Sequence, residues 1–166
     1  MLNPTVFLDR DGVINIDKGY VYKIEDFEWN MHSKEAIKYL KKANYLVIVI
    51  TNQSGISREY YTENDVNFLH NFINKELSQI GVEIDDFYYS PFHPDITNSK
   101  YSHLSHLRKP NIGMLELADK KWKIDKTKSF MIGDKDIDVQ CAKNFGINGH
   151  LYKGGSLLDF VKSIQI

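Results

Sequence analysis

The stretch Thr5-Val6-Phe7-Leu8 runs without a polar break into Asp9-Arg10-Asp11-Gly12, and the reading of this junction decides the fold. An apolar run with no alternation suits a strand covered on both faces, as in a parallel sheet, rather than one with a wet side. The pattern recurs along the chain. Tyr45-Leu-Val-Ile-Val-Ile50 leads into Thr51-Asn-Gln-Ser-Gly55, and Ser129-Phe-Met-Ile132 leads into Gly133-Asp-Lys135. Phe87-Tyr-Tyr89 is a fourth candidate strand and His150-Leu-Tyr152 a weaker fifth.

Helical periodicity fills the intervals. From Ser33 to Ala43, residues Ala36, Ile37, Leu40 and Ala43 share one stripe. From Thr62 to Ile80, Val66, Leu69, Ile73, Leu77 and Ile80 do the same, with Thr62-x-x-Asp65 as a capping box and Gly81 as the stop. Met114 to Trp122, Asp136 to Phe145 (then Gly146) and a short helix from Ser156 complete the alternation. Strands alternating with helices predict an α/β fold: a doubly wound, mostly parallel, Rossmann-type sheet in a single domain over residues 1–166. Residues 15–30 and 90–110 fit no element and are long enough to be functional loops.

Composition narrows the function. The 166 residues are 42% hydrophobic and 26% charged, which excludes wholesale disorder. Twenty-one Lys+Arg against 22 Asp+Glu leave a formal charge of −1, so neither nucleic acid nor a membrane is the expected partner, and a small molecule is. The single cysteine, Cys141, excludes an internal disulfide and any all-cysteine zinc site. The start Met1-Leu-Asn-Pro-Thr lacks the pattern of a signal peptide, and Tyr45–Ile50 cannot span a bilayer. A cytoplasmic monomer is expected.

In open α/β sheets the ligand site lies beyond the carboxyl ends of the strands. Asp9, Asp11, Thr51, Asn52, Asp134 and Lys135 should therefore meet there. Asp9 and Asp11 leave an extended chain on the same side, and two carboxylates so close need a cation or a proton between them. With Asp134 they form a hard-oxygen set suited to Mg²⁺ rather than to a soft metal. Thr51, with the backbone N–H groups after it, can hold a phosphate, and Lys109 can add a positive charge. Each of these residues has an ordinary turn or surface reading when taken alone.

Together, Phe7-Leu-Asp-Arg-Asp-Gly-Val-Ile-Asn15, Thr51-Asn-Gln-Ser-Gly55, Arg108-Lys-Pro110 and Met131-Ile-Gly-Asp-Lys135 stand in the order of the haloacid dehalogenase-like phosphatases. The chain resembles that family from about Val6 to Tyr152. Asp17-Lys-Gly-Tyr-Val21 and Tyr88-Tyr89 are similar to its heptose bisphosphate branch, a relative of the histidinol-phosphatase domain. The resemblance implies a Mg²⁺-dependent phosphomonoesterase without a large cap domain, with a heptose bisphosphate as substrate and histidinol phosphate as the alternative. It implies that Asp9 is the nucleophile and a metal ligand. Asp11 then acts as acid and base, its carbonyl on the metal; Thr51 and Lys109 hold the phosphoryl group, and Asp134 completes the ligands of one ion. Asp17, Lys18, Gly19, Tyr20, Asn52, Gln53, Arg108 and Lys135 would surround the substrate, with Arg108 on its distal phosphate. A non-catalytic sugar-phosphate binder and a phosphotransferase are the competing classes.

The chain departs from the family pattern in two places. Ser90, Phe92, Ser105 and Leu107 occupy the positions of the family's zinc ligands, and Glu59 replaces the usual glycine after Arg58. Structural zinc is therefore not expected, although His93, His103 and His106 lie in the segment. Phe92, Tyr101 and Leu104 should pack the loop, with Pro91, Pro94, Asn98 and Ser99 as its turns.

Overall fold

The apolar runs pair side by side as five parallel strands: β1 (Thr5–Leu8), β2 (Leu46–Asn52), β3 (Asp86–Ser90), β4 (Phe130–Gly133) and β5 (Asn148–Leu151). The computed structural model describes residues 1–97 and 99–164. Asn98, read above as a turn residue, lies outside the described set. The helices are α1 (Ser33–Lys42), α2 (Glu63–Ser78), α3 (Gly113–Trp122), α4 (Asp136–Phe145) and α5 (Leu157–Ser163), with short 3-10 turns at Ile24–Asp26 and Ser102–Leu107. Among the described residues no helix is long and apolar enough to cross a membrane.

Burial follows the two-residue period of the strands. Val6, Leu8, Val47, Val49 and Ile132 point to one face, where Ile37 and Leu40 of α1, Leu69 and Ile73 of α2 and Leu157 and Val161 of α5 cover them. Phe7, Ile48, Ile50 and Met131 point to the other face, against Met114 and Ala118 of α3 and Ala142 and Phe145 of α4. Each such aliphatic side chain contributes about 1.5–3 kcal/mol by leaving water. Both faces being covered is why the strand sequences show no alternation. The expected doubly wound α/β sheet is the one found.

The strand order β3-β2-β1-β4-β5 places β1 in the centre, with the chain winding outward first through β2 and β3 and then through β4 and β5. The winding reverses at β1 and β4, and a crevice opens beyond their carboxyl ends. The helix ends follow the sequence closely. Thr62 accepts from the Asp65 N–H and Asp65 accepts from the Thr62 N–H, closing the capping box. Ser156 caps α5.

The strand limits differ most from the sequence reading at β2 and β5. β2 continues through Thr51 and Asn52, because β3 stays in register to Ser90 and pairs Thr51 with Tyr89 and Asn52 with Ser90. The last strand starts two residues early at Asn148 and ends at Leu151, leaving Tyr152 buried just past it. Backbone pairing, which side-chain pattern does not report, sets both limits.

Candidate active site

Asp9 follows β1 directly, and its N–H continues the ladder to the Ile132 carbonyl at 3.0 Å. That bond fixes the carboxylate at the floor of the crevice. Asp9 Oδ1 accepts the Arg10 N–H at 2.8 Å and meets Lys109 Nζ at 2.9 Å. Lys109 is 2% exposed and also lies 2.7 Å from Asp138 Oδ1 and 2.8 Å from the Ile50 carbonyl. Burial works to lower the lysine pKa, but the two carboxylates outweigh it and hold the ammonium above its usual value.

Asp9, Asp134 and Asp138 place carboxylate oxygens within 4.8 Å of one another. Gly12 and Gly133 make this convergence possible. A Cβ on Gly12, which sits at φ +88°, would strike the Asp134 carboxylate, and one on Gly133 would strike Asp138. Burial pushes the Asp9 carboxyl up to about 8 against the pull of Lys109, with repulsion from Asp138 adding to the rise. A buried carboxylate that is to stay ionised in that condition calls for one more positive charge. Asp134 Oδ1 is buried without a partner, while Asp138 is engaged at one oxygen by Lys109 and at the other by the Lys135 N–H. An orphaned oxygen beside a desolvated carboxylate fits a hard divalent cation held by Asp9 and Asp134.

Asp11 stands at the edge of the floor. Its Oδ1 accepts from Arg10 and from Asn15 Nδ2 at 3.0 Å, and its Oδ2 from Gln53 Nε2 at 3.0 Å. The Gln53 amide also donates to Thr51 Oγ1 at 2.8 Å and accepts the Tyr61 hydroxyl at 2.6 Å. Gln53, expected to bind substrate, borders the cleft with its amide spent on Asp11, Thr51 and Tyr61, so it sets the position of those groups. Asn52 accepts the Lys109 N–H at 3.0 Å and donates to the Lys109 carbonyl at 3.3 Å, clamping that segment against β2.

Asp9, Asp11, Asp17, Gly19, Tyr20, Asn52, Gln53, Arg108, Lys109 and Lys135 line one cleft of ≈ 260 Å³. Asp17 accepts the Gly19 N–H and lies 3.8 Å from Lys135 Nζ, so the loop after β1 and the start of α4 meet across it. Lys18 turns away to Glu28 at 2.9 Å and does not border the cleft. Consecutive side chains of an extended segment diverge, and so Arg108 faces the cleft mouth while Lys109 is buried. Burial and the neighbouring Arg58 both weaken the hold of Arg108 on its proton.

Tyr101 and Leu104 pack the 90–107 loop onto the domain, and Phe92 offers its carbonyl to Arg108 at 3.2 Å. His93 faces Arg58, whereas His103 and His106 are exposed.

Sequence reasoning missed Asp138, Arg10 and His70. An acidic residue at the third position of a helix is a readable capping signal, and Asp138 has it. Nothing in the sequence ties Arg10 to His70, sixty residues away.

A central strand followed by a buried aspartate, a second aspartate two residues on, a lysine from a distant loop and a carboxylate just past β4 define a haloacid dehalogenase-like phosphatase. The chain belongs to that family: the profile described as polynucleotide kinase 3 phosphatase matches residues 6–147. It is 47% identical over 139 residues to the D-glycero-beta-D-manno-heptose-1,7-bisphosphate 7-phosphatase of Photorhabdus laumondii, covering 84% of this chain and 74% of that protein. The protein of the same name from Rhodopseudomonas palustris is 42% identical over 163 residues, covering 98% and 91%. The crystal structure of D,D-heptose 1,7-bisphosphate phosphatase from B. bronchiseptica, complexed with magnesium and phosphate, superposes with a TM-score of 0.82 at 25% identity and covers 97% of both chains.

Proposed function

We propose that this chain is a magnesium-dependent phosphatase that removes the 7-phosphate of D-glycero-D-manno-heptose 1,7-bisphosphate through a phosphoaspartate at Asp9. The observation that carries the reading is the meeting of Lys109 and Asp134 at Asp9, in a cleft that Asp9 and Lys109 line, in a chain 47% identical to a relative of that name. The relatives' names support this substrate and not histidinol phosphate.

Asp9, Asp134 and the Asp11 carbonyl would hold one Mg²⁺, which supplies the positive charge that keeps the nucleophile ionised and offsets its repulsion of the phosphate dianion. The free Asp9 oxygen attacks phosphorus and the bond from phosphorus to the sugar oxygen breaks. Asp11 gives that oxygen its proton. Lys109 and the Thr51 hydroxyl, whose oxygen already accepts from Gln53, hold the phosphoryl oxygens. Asp11 then takes a proton from the water that hydrolyses the phosphoaspartate. Donation to a poor alkoxide leaving group contributes a factor of about 10²–10⁴. Asp17, Gly19, Tyr20, Lys135, Asn52 and Arg108, all of which line the cleft, surround the sugar, and Arg108 takes the distal phosphate.

The proposed enzyme is a single-domain monomer acting on free sugar phosphate in the cytoplasm. It carries one Mg²⁺ and no structural zinc: apolar packing of Tyr101 and Leu104 takes the place of a metal clip.

Phosphate release from the 1,7-bisphosphate, the heptose 1-phosphate and histidinol phosphate tests the reading. The bisphosphate should turn over with the highest kcat/KM. Asp9→Asn should retain less than about a hundredth of the activity, the smallest loss typical of removing even a general acid or base.

A further inference from the structure

Arg10 lies between the two aspartates in sequence, yet its side chain is fully buried beneath them. The guanidinium reaches Asp11 by three contacts of 3.1–3.3 Å and also donates to the Val21 carbonyl. Its other end, Nη1, lies 3.3 Å from Nε2 of His70, on α2. Arginine offers only donors, so this contact requires a ring that accepts at Nε2 and carries its proton on Nδ1. Burial and the adjacent guanidinium hold the His70 pKa well below its usual value, consistent with a neutral acceptor. The ring is fixed from the side: it stacks on Phe87 at 4.4 Å and 18°, and Phe87 belongs to β3.

We propose that His70 is a positioning residue for the phosphatase reaction, acting through Arg10 to hold the Asp11 carboxyl in line with the leaving oxygen. The physical need is clear in the geometry. Asp11 is tied down by side chains of its own loop and by Gln53, at the carboxyl end of the sheet. Gln53 ties it to β3, through its N–H on the Ser90 carbonyl at 2.7 Å, and Arg10 ties it to α2 through His70. Without an acceptor at His70, Nη1 is left as a buried donor that has lost its partner. A buried guanidinium then shifts to satisfy itself, and Asp11 shifts with it. Misplacing a catalytic group by about 1 Å can cost up to ~10²-fold.

This inference rests on Asp11 being the proton donor, and the experiment separates the two claims. His70→Phe keeps a ring on Phe87 and removes the acceptor; His70→Gln keeps an acceptor near the Nε2 position. Each is measured beside Asp11→Asn on two substrates, the sugar bisphosphate and an aryl phosphate whose leaving group needs no proton. The expected result is a kcat loss of about tenfold or more for His70→Phe on the sugar phosphate, little change in KM, a much smaller loss on the aryl ester, and recovery of most of the kcat in His70→Gln. Equal losses on both substrates, or full activity of His70→Phe, overturn the positioning role. If His70→Phe does not fold, an equal loss on both substrates in His70→Gln overturns it as well. If Asp11→Asn itself shows no dependence on the leaving group, the proton-donor reading fails and takes this one with it.

Discussion

Replacing Asp138 by alanine tests the arrangement beneath the nucleophile. Asp138 is 1% exposed and serves two donors at once, the Lys109 ammonium at 2.7 Å and the Lys135 N–H at the start of α4 at 3.1 Å. Breaking a buried ion pair costs about 3–5 kcal/mol when the surviving charge is left alone. Lys109 is not left alone, since Asp9 at 2.9 Å and the Ile50 carbonyl at 2.8 Å stay in place, so this part falls to about 2 kcal/mol, the size of a hydrogen bond to a charged group. The lost helix cap adds about 1 kcal/mol. Asp138 also repels Asp9, and relieving that repulsion returns some of the loss, which makes about 3 kcal/mol the upper figure. At roughly 2–4 °C per kcal/mol for a chain of this size, the melting temperature should fall by about 6–12 °C. Asp138→Asn, which keeps one acceptor oxygen, should fall by roughly half as much. Turnover should drop in both variants, because Lys109 released from Asp138 is drawn further toward Asp9 and away from the phosphoryl group. Circular-dichroism melts in excess Mg²⁺, with kcat measured well below the melting range, provide the readout. A melting temperature for Asp138→Ala within about 2 °C of wild type, under 1 kcal/mol, would refute the view that Asp138 is the counter-charge that seats Lys109.

Arg108→Ala should lower kcat/KM for the bisphosphate by about ten- to a hundredfold, the value of a hydrogen bond between charged groups, and leave a simple monophosphate nearly unaffected; equal losses in steady-state assays would remove Arg108 from the distal phosphate. Chelation should abolish turnover and added Mg²⁺ should restore it, while Asp134→Ala should raise the Mg²⁺ concentration at half-maximal rate by at least about tenfold, the low end for losing a metal-orienting group. His70 gives stability a defined acid limit: its pKa is depressed in the folded state, so its contribution is complete above the unfolded value of 6.5 and is lost as the pH falls below it. Denaturant titrations at stepped pH should show the stability difference between wild type and His70→Phe shrinking by up to about 1.4 kcal/mol per pH unit below 6.5 and flat above it.

The sequence by itself determined the parallel sheet, because strands buried on both faces must be apolar at every position, and Val6, Phe7 and Leu8 can be read as such before their faces are known. It also determined where the polar groups gather, since a strand that ends in Asp9, Thr51 or Asp134 delivers that residue to the same edge of any such sheet. The helix limits at Thr62, Gly146 and Ser156 were equally local, fixed by hydrogen bonds that span only a few residues. Tertiary structure decided what a neighbour in space contributes. Gln53 reads as a ligand for substrate, and the fold sets its amide on Asp11, Thr51 and Tyr61 at the border of the cleft; Lys18 reads the same way and pairs with Glu28. Asp138, Arg10 and His70 carry no sign in sequence of the partners they hold: Lys109 and Asp138 are 29 residues apart, and Arg10 and His70 are 60 apart. Periodicity and capping act over a few residues and leave a trace in the order of amino acids. A buried charge takes its partner from whatever the packed sheet and helices bring within about 3 Å, and only the fold supplies that distance.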